Sequence, residues 1–251
     1  MLKSIAFTTT LLIILSCSKS TLEKYNGVNL KTTSNKKEHE SDKYVITKPG
    51  RVLKTFYKTH RIIPVFKIDV DEKDNEEYSA TSYFHTSWYP YDSLNAWHNH
   101  FMPGIAAISG YNMTNVADFN TTNSKRTDFF DKNVLINTIY YPATIGDTLN
   151  GKPIERNYYL VSAYDEDTNN DSIINAKDLR RFYHFDLNAK KKTSLIPKEY
   201  SVLSSQYDYL NDFMYIKAKK DMNGNGARET SEPTHIFWID MKNPKPAKRA
   251  Y

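Results

Sequence analysis

The sequence predicts an all-β chain built from short antiparallel strands. Three observations carry that expectation. Aromatic residues make up 14% of the 251 positions, with 19 Tyr against 8 Gly, and tyrosine-rich chains lean toward strands. From Tyr44 onward, short runs of β-branched and aromatic residues alternate with clusters of Pro, Asn and Asp, the punctuation of strands and turns. When the chain is shifted by 54 positions, residues 157–187 fall on residues 211–241 without a gap, so a unit is repeated. No long segment has helical periodicity. The one helical hint is Asn175 to Arg181, about two turns at most.

The N-terminus is taken first. Lys3 is a short basic region, followed by apolar Ile5 to Leu15, interrupted by Thr8, Thr9 and Thr10. That stretch is too short for a membrane-spanning helix and fits a signal peptide. It ends in Ile14-Leu15-Ser16-Cys17, which resembles the lipobox of bacterial lipoproteins. The resemblance implies removal of residues 1–16, lipidation of Cys17 and anchoring in the cell envelope, with the outer membrane as the expected address. Cys17 is the sole cysteine, so the mature chain has no internal disulfide. Residues 17–44 comprise the lipidated cysteine and a Ser-, Lys-, Thr-, Asn- and Glu-rich stretch read as a tether. Residues 45–251 form the expected folded body. The formal charge of +5 is mild and lysines are interspersed with acids, which excludes nucleic acid as an expected partner.

Within the body, Arg61 to Ile68, Tyr78 to Phe84, Ile105 to Ser109 and Asn133 to Tyr141 read as strands. In the repeat, Asn157 meets Asn211, Tyr159-Leu160-Val161 meets Phe213-Met214-Tyr215, and Phe182 to Leu187 meets Ile236 to Met241. The alternation of Tyr159 with Val161, and of Phe213 with Tyr215, predicts pleated strands with one face buried. Between the copies, Lys190 to Pro197 and Tyr200 to Tyr209 supply two further strands. A fainter copy is expected at residues 103–133, with Ile105 to Ser109 as its inner strand and Phe129-Phe130-Asp131 as its aromatic strand. Val65 to Val70 is expected to close a first unit.

Each clear copy encloses an oxygen-rich loop. In Asp167 to Asp178, the side chains of Asp167, Asn169, Asp171, Asn175 and Asp178 stand at positions one, three, five, nine and twelve, and Ile173 at seven offers its carbonyl. This is the spacing of a twelve-residue calcium loop, and calcium takes six to eight oxygen ligands. Ile174 at position eight is expected to point inward and anchor the loop. Position six, usually Gly, is Ser172, and Asp165 just upstream adds negative charge. The second loop offers Asp221, Asn223, Asn225, the Ala227 carbonyl, Glu229 and Glu232, with Gly226 at position six and Arg228 at position eight. The first loop, with Leu179 following Asp178, resembles the dockerin version of the EF-hand loop. Two structural calcium ions are the expected cofactors, each holding a hairpin in shape against the repulsion of its carboxylates. The plainer alternative is a pair of solvated Asx-rich turns.

A four-stranded unit every 54 residues is what a β-propeller blade requires. Residues 157–245 resemble the TolB-like, or PD40, propeller repeat: the aromatic strand Phe182 to Leu187, the lysine run 190–192, Leu195, then the Ser-rich Val202 to Tyr209. The Ser-Pro-Asp-Gly turn of that family is replaced by Asp208-Tyr209-Leu210-Asn211. The resemblance implies a small or partial propeller of four-stranded antiparallel blades, with the calcium loops inserted in its hairpins.

Two further candidate sites precede the repeats. His98 and His100, with His85, His60 or an Asp as a third ligand, suit a transition metal; hydrogen-bonded histidines in an aromatic loop are the alternative. Tyr83, Phe84, Trp88, Tyr89, Tyr91 and Trp97 suit a blade core, with a sugar-stacking platform as the alternative. There is no Gly-rich phosphate loop, Gly-x-Ser-x-Gly elbow or nucleophilic Cys in the body, and no catalytic residue is assigned. The function expected is a calcium-binding, lipid-anchored envelope protein acting as a binding or assembly module. The alternatives are a polysaccharide hydrolase or lyase on the same scaffold and a glycan-binding lipoprotein. Its partners would be the membrane, through the lipid, and an envelope protein or glycan.

Overall fold

The computed structural model describes residues 27–29, 47–67, 83–85, 102–110 and 112–251. Cys17, His98, His100 and Trp88 to Trp97 lie outside the described residues. For Tyr83, Phe84 and His85 the backbone alone is described. In chain order the strands are β1 (Val28–Asn29), β2 (Thr47–Pro49), β3 (Leu53–Lys54), β4 (His60–Lys67), β5 (Tyr83–His85), β6 (Ile105–Ser109), β7 (Met113–Asn120), β8 (Lys125–Asp128), β9 (Leu135–Pro142), β10 (Asp147–Leu149), β11 (Lys152–Ile154), β12 (Tyr158–Tyr164), β13 (Ile173–Ile174), β14 (Arg181–Asp186), β15 (Lys192–Ser194), β16 (Tyr200–Asp208), β17 (Phe213–Lys220), β18 (Thr234–Asp240) and β19 (Lys248–Arg249). Among the described residues there is no helix, and every strand pairing is antiparallel.

Three sheets dominate. A five-stranded sheet runs β2-β4-β7-β8, with β3 also on β4. A six-stranded sheet runs β15-β14-β12-β9-β6-β5, and a four-stranded sheet runs β16-β17-β18-β19. One sheet curls into a half-barrel. Two hydrophobic cores show how they stack. Ile62 and Phe66 of β4 and Met113 and Val116 of β7 share the first core with Tyr159, Val161, Tyr183 and Phe185 of the six-stranded sheet. The opposite face of that sheet, through Tyr140, Tyr158, Leu160 and Phe182, shares the second core with Met214, Ile216, Ala218, Phe237 and Ile239 of the four-stranded sheet. The middle sheet is therefore covered on both faces, which is why every residue of β12 is buried where alternation predicts one buried face.

The same four-strand meander occurs twice, as β9-β12-β14-β15 and as β16-β17-β18-β19. Tyr183 and Phe185 face the first core, and their equivalents at a shift of 54, Phe237 and Ile239, face the second. Each sheet thus turns the same face of this strand toward the sheet before it in the chain. The gapless repeat fails in the neighbouring strand. Tyr159 lies opposite Phe185, but Met214, not Phe213, lies opposite Ile239. A one-residue slip moves every side chain to the other face. Phe213 and Tyr215 accordingly lie half-buried on the outer face, and Met214, Ile216 and Ala218 fill the core. The difference is absorbed just before the loops: three residues separate Ala163 from Asp167, and two separate Ala218 from Asp221.

Three other expectations change. Ile105 to Ser109 is β6, a partner of β9 and β5 in the middle sheet, not the inner strand of a separate unit. Phe129 and Phe130 lie outside any strand and bury both rings in the first core, where Phe129 packs 4.9 Å from Phe185, centroid to centroid. Asn175 to Arg181 forms no helix, because its oxygens and amides are taken up by loop contacts and Arg181 opens β14.

Buried polar groups pin the layers. Arg156, ahead of β12, makes a two-pronged ion pair with Asp212 at 2.6 and 3.1 Å, both side chains 1% exposed. Arg156 also donates to the carbonyls of Met241 and Pro103, and the hydroxyls of Tyr158 and Tyr207 donate to the Met241 carbonyl and to Asp212. This network clamps the six-stranded sheet to the four-stranded one. At the start of β16, Arg180 donates to the carbonyls of Val202 and Leu203, and Arg181 to those of Lys198 and Tyr200. The edge strand is held onto the middle sheet by these contacts, and its carbonyls are satisfied.

Candidate metal centre

The loop Asp167–Asp178 joins β12 to β14, and Asp221–Glu232 joins β17 to β18. Asp and Asn favour such turns because a short side-chain oxygen accepts the amide of a residue further along. In the first loop the Asp167 carboxylate accepts the amides of Asp171 and Ser172, at 3.0 and 2.8 Å. Asn169 accepts from Asp171 at 3.0 Å, and Asp171 from Ile173 at 2.9 Å. Asp178, 1% exposed, accepts the amides of Thr168, Asn169 and Asn175 at 2.8, 3.3 and 2.8 Å.

The second loop repeats most of this scheme, with Asp221 also accepting the Gly224 amide at 2.8 Å where Asp167 accepts that of Asp171. Asp221 accepts the Gly226 amide at 2.9 Å, Asn223 accepts from Asn225 at 3.0 Å, and Asn225 accepts from Ala227 at 2.9 Å. Glu232 accepts from Met222 and Glu229 at 3.1 and 2.9 Å. Position six has positive φ in both loops, 69° at Ser172 and 70° at Gly226, as does position four, at Asn170 and Gly224. Ser172 therefore takes the left-handed backbone that Gly takes in the second loop, at a cost Gly does not carry.

The loops also touch. The Thr168 hydroxyl donates to the Gly226 carbonyl at 2.5 Å. A Cβ on Gly226 would overlap the Thr168 carbonyl. Thr168 further accepts the Leu179 amide at 2.9 Å. Adjacent sheets thus send both loops to one end of the stack. The position-eight residues part company. Ile174 is fully buried with Val28 and Tyr164, as its expected anchoring role requires. Arg228 is exposed, and its charge, after burial, holds the neighbouring Arg180 guanidinium below its ordinary pKa.

The donor set suits a hard cation. Oxygen is the sole donor type at positions one, three, five, seven, nine and twelve of both loops, from Asp167, Asn169, Asp171, Ile173, Asn175 and Asp178 and from Asp221, Asn223, Asn225, Ala227, Glu229 and Glu232. Among the described residues no group of three or more His, Cys, Asp or Glu side chains is arranged to hold a metal ion. In each loop Asn side chains and main-chain carbonyls make up the balance of the oxygens, and the closing carboxylate is turned onto main-chain amides. Burial raises the Asp178 pKa, while the amides of Asn175, Thr168 and Asn169 pull it down. Asp165 is directed away from the loop: one oxygen accepts from Tyr183 at 2.7 Å near Lys192, and the other has no hydrogen-bond partner.

Comparison with family models, with curated proteins and with solved structures finds no match to this chain.

Sequence reasoning missed several residues that organise the site. Thr168 bridges the loops, and nothing in a lone Thr at position two announces it. Gly226 reads as an ordinary position-six glycine, yet it is also a contact point. His60, considered as a metal ligand, instead directs Nδ1 to both oxygens of Asp118 at 3.0 Å, beside the Tyr159 hydroxyl at 3.3 Å. Burial raises the Asp118 pKa, opposed by the His60 contact. These three groups are buried at the first core and stitch β4, β7 and β12 together.

Proposed function

We propose that this chain is a calcium-binding, lipid-anchored cell-envelope protein whose propeller-like body serves as a binding or assembly module. The observation that carries the calcium part is the shared hydrogen-bond scheme of the two loops. Two stretches that share a residue only at positions one and three both take positive φ at positions four and six and carry oxygen donors at the same sequence positions. In this reading each ion is structural. Asp167, Asn169, Asp171, Asn175, Asp178 and the Ile173 carbonyl hold one ion. Asp221, Asn223, Asn225, Glu229, Glu232 and the Ala227 carbonyl hold the other. In this reading the ions offset the mutual repulsion of each loop's carboxylates. The blade-like reading of the body rests on the twice-used four-strand meander and on the head-to-tail stacking of the sheets. Lipid anchoring rests on the sequence around Cys17.

Thermal unfolding with calcium and with excess chelator tests the metal reading. Ligand binding to the native state stabilises by about 2.7 kcal/mol at a hundredfold excess over Kd. The expected result is a melting temperature that rises with calcium concentration and falls in chelator. Identical melting in both conditions refutes the reading. Metabolic labelling with a radioactive fatty acid tests the anchor, with Cys17→Ser expected to abolish incorporation.

A further inference from the structure

One stretch of the chain far from the repeats is built into the first loop. Val28 pairs with Ile174 and Asn29 with Ile173, so β1 adds a strand to β13, the two residues at loop positions seven and eight. Gly27 has a φ of 57°, and a Cβ there would overlap the Ile174 carbonyl and stand 2.8 Å from the Asn175 Cβ. The Lys67 ammonium donates to the Gly27 carbonyl at 3.2 Å. Val28 is 4% exposed and packs with Ile174 and Tyr164. The first loop is therefore gripped on two sides, each time at a glycine: Gly27 of the strap and Gly226 of the second loop.

We propose that cation binding in the first loop and docking of the strap Gly27–Asn29 are thermodynamically linked. The inference rests on the calcium reading of that loop and adds its regulation. Ile173 joins the two events, since it supplies the position-seven carbonyl and its neighbouring main chain forms the strand that receives Asn29. A two-residue ladder has little stability of its own, so strap docking depends on how firmly β13 is held. An ion drawing together Asp167, Asp171, the Ile173 carbonyl and Asp178 holds β13 in the docking conformation. By reciprocity, a docked strap raises the affinity of the loop for the ion by the same factor. In a chain anchored at Cys17, ten positions separate the anchor from Gly27, a contour of at most roughly 36 Å. A docked strap then limits how far Gly27 can stand from that anchor.

The test uses the whole chain and two strap variants, Gly27→Val, which clashes with the Ile174 carbonyl, and Val28→Ser, which empties the apolar contact. Calcium affinity is measured by titration calorimetry, and amide hydrogen exchange is followed at Val28, Asn29, Ile173 and Ile174 with and without calcium. Calcium is expected to slow exchange at Val28 and Asn29 about tenfold, and both variants to weaken the first-loop site by about the same factor, with the second-loop site retained. Equal calcium affinity in all three proteins, or strap exchange that ignores calcium, overturns the linkage and leaves the calcium reading standing. No calcium binding by the unaltered chain overturns both.

Discussion

The contact between the loops turns on one glycine, and Gly224 supplies its control. Gly224 and Gly226 both have a φ of 70°, but a Cβ on Gly224 meets nothing within 4 Å, whereas one on Gly226 overlaps the Thr168 carbonyl. Replacing either by Ala forces a side chain into the left-handed region, at about 1 kcal/mol. Both replacements also restrict the unfolded chain equally, so that effect cancels in the comparison. Gly226→Ala alone must push the loops apart. It then loses the hydrogen bond from Thr168 to the Gly226 carbonyl, about 1 kcal/mol, and adds a steric displacement of about 1 kcal/mol or more. The excess of Gly226→Ala over Gly224→Ala is therefore about 2 kcal/mol. In a body of this size that is a further drop of roughly 4–8 °C in melting temperature. Both variants are compared by thermal and urea unfolding in the same buffer. A double-mutant cycle with Thr168→Val should show the two changes to be non-additive, because they act on one contact. Equal losses from Gly224→Ala and Gly226→Ala, or simple additivity with Thr168→Val, would show that the loops do not brace each other.

Three more outcomes follow from the packing and the electrostatics. Met214→Ala should cost about 2–5 kcal/mol of unfolding free energy, as deletion of a fully buried side chain does, and Phe213→Ala clearly less; the reverse order in urea titrations would restore the gapless repeat. Asp212→Asn, which strands the buried Arg156 guanidinium, should cost about 3–5 kcal/mol, and replacing both partners with apolar residues should recover part of it; a loss below about 1 kcal/mol in denaturant would refute the clamp. The raised pKa of Asp178 means that, in chelator, the carboxyl's contribution to stability is full below the ordinary carboxylate range and is lost as pH rises through the native pKa. Asp178→Asn should flatten that part of the chelated stability–pH curve, and calcium should reverse its slope; an unchanged curve in the variant would assign the titration to another group.

Much of the architecture was readable in advance where one chemical constraint acts locally. Alternating β-branched and aromatic runs placed β4, β6, β9, β12, β14, β16, β17 and β18 near their observed positions, because a strand's pattern follows from which face is covered. The loops were legible for a similar reason: Asp and Asn at alternate positions bond the amides a few residues on, whatever surrounds them. The register of the second copy was not legible. The loops keep a shift of 54, but β17 stands at 55 relative to β12, and Phe213, Met214, Tyr215 and Ile216 are all apolar or aromatic enough to serve on either face. Which face is inward depends on the sheet that packs against it. Phe129 and Phe130 misled in the same way, since two adjacent aromatics read as strand when they are core plugs outside one.

The partners of each loop lay beyond any local rule. Ile174 announced that position eight needs an apolar neighbour, but not that the neighbour is Val28, drawn from a stretch whose composition reads as a tether. Arg156 and Asp212 are unremarkable charges in sequence; they become a buried clamp because the turns carrying them meet between two sheets, where each can be desolvated only against the other. Chain chemistry thus specified strand content and the oxygen-rich loops, both set by neighbours a few bonds away. Sheet stacking specified the inward faces, the touching loops and the docked strap, because these contacts join residues whose proximity no short-range pattern encodes.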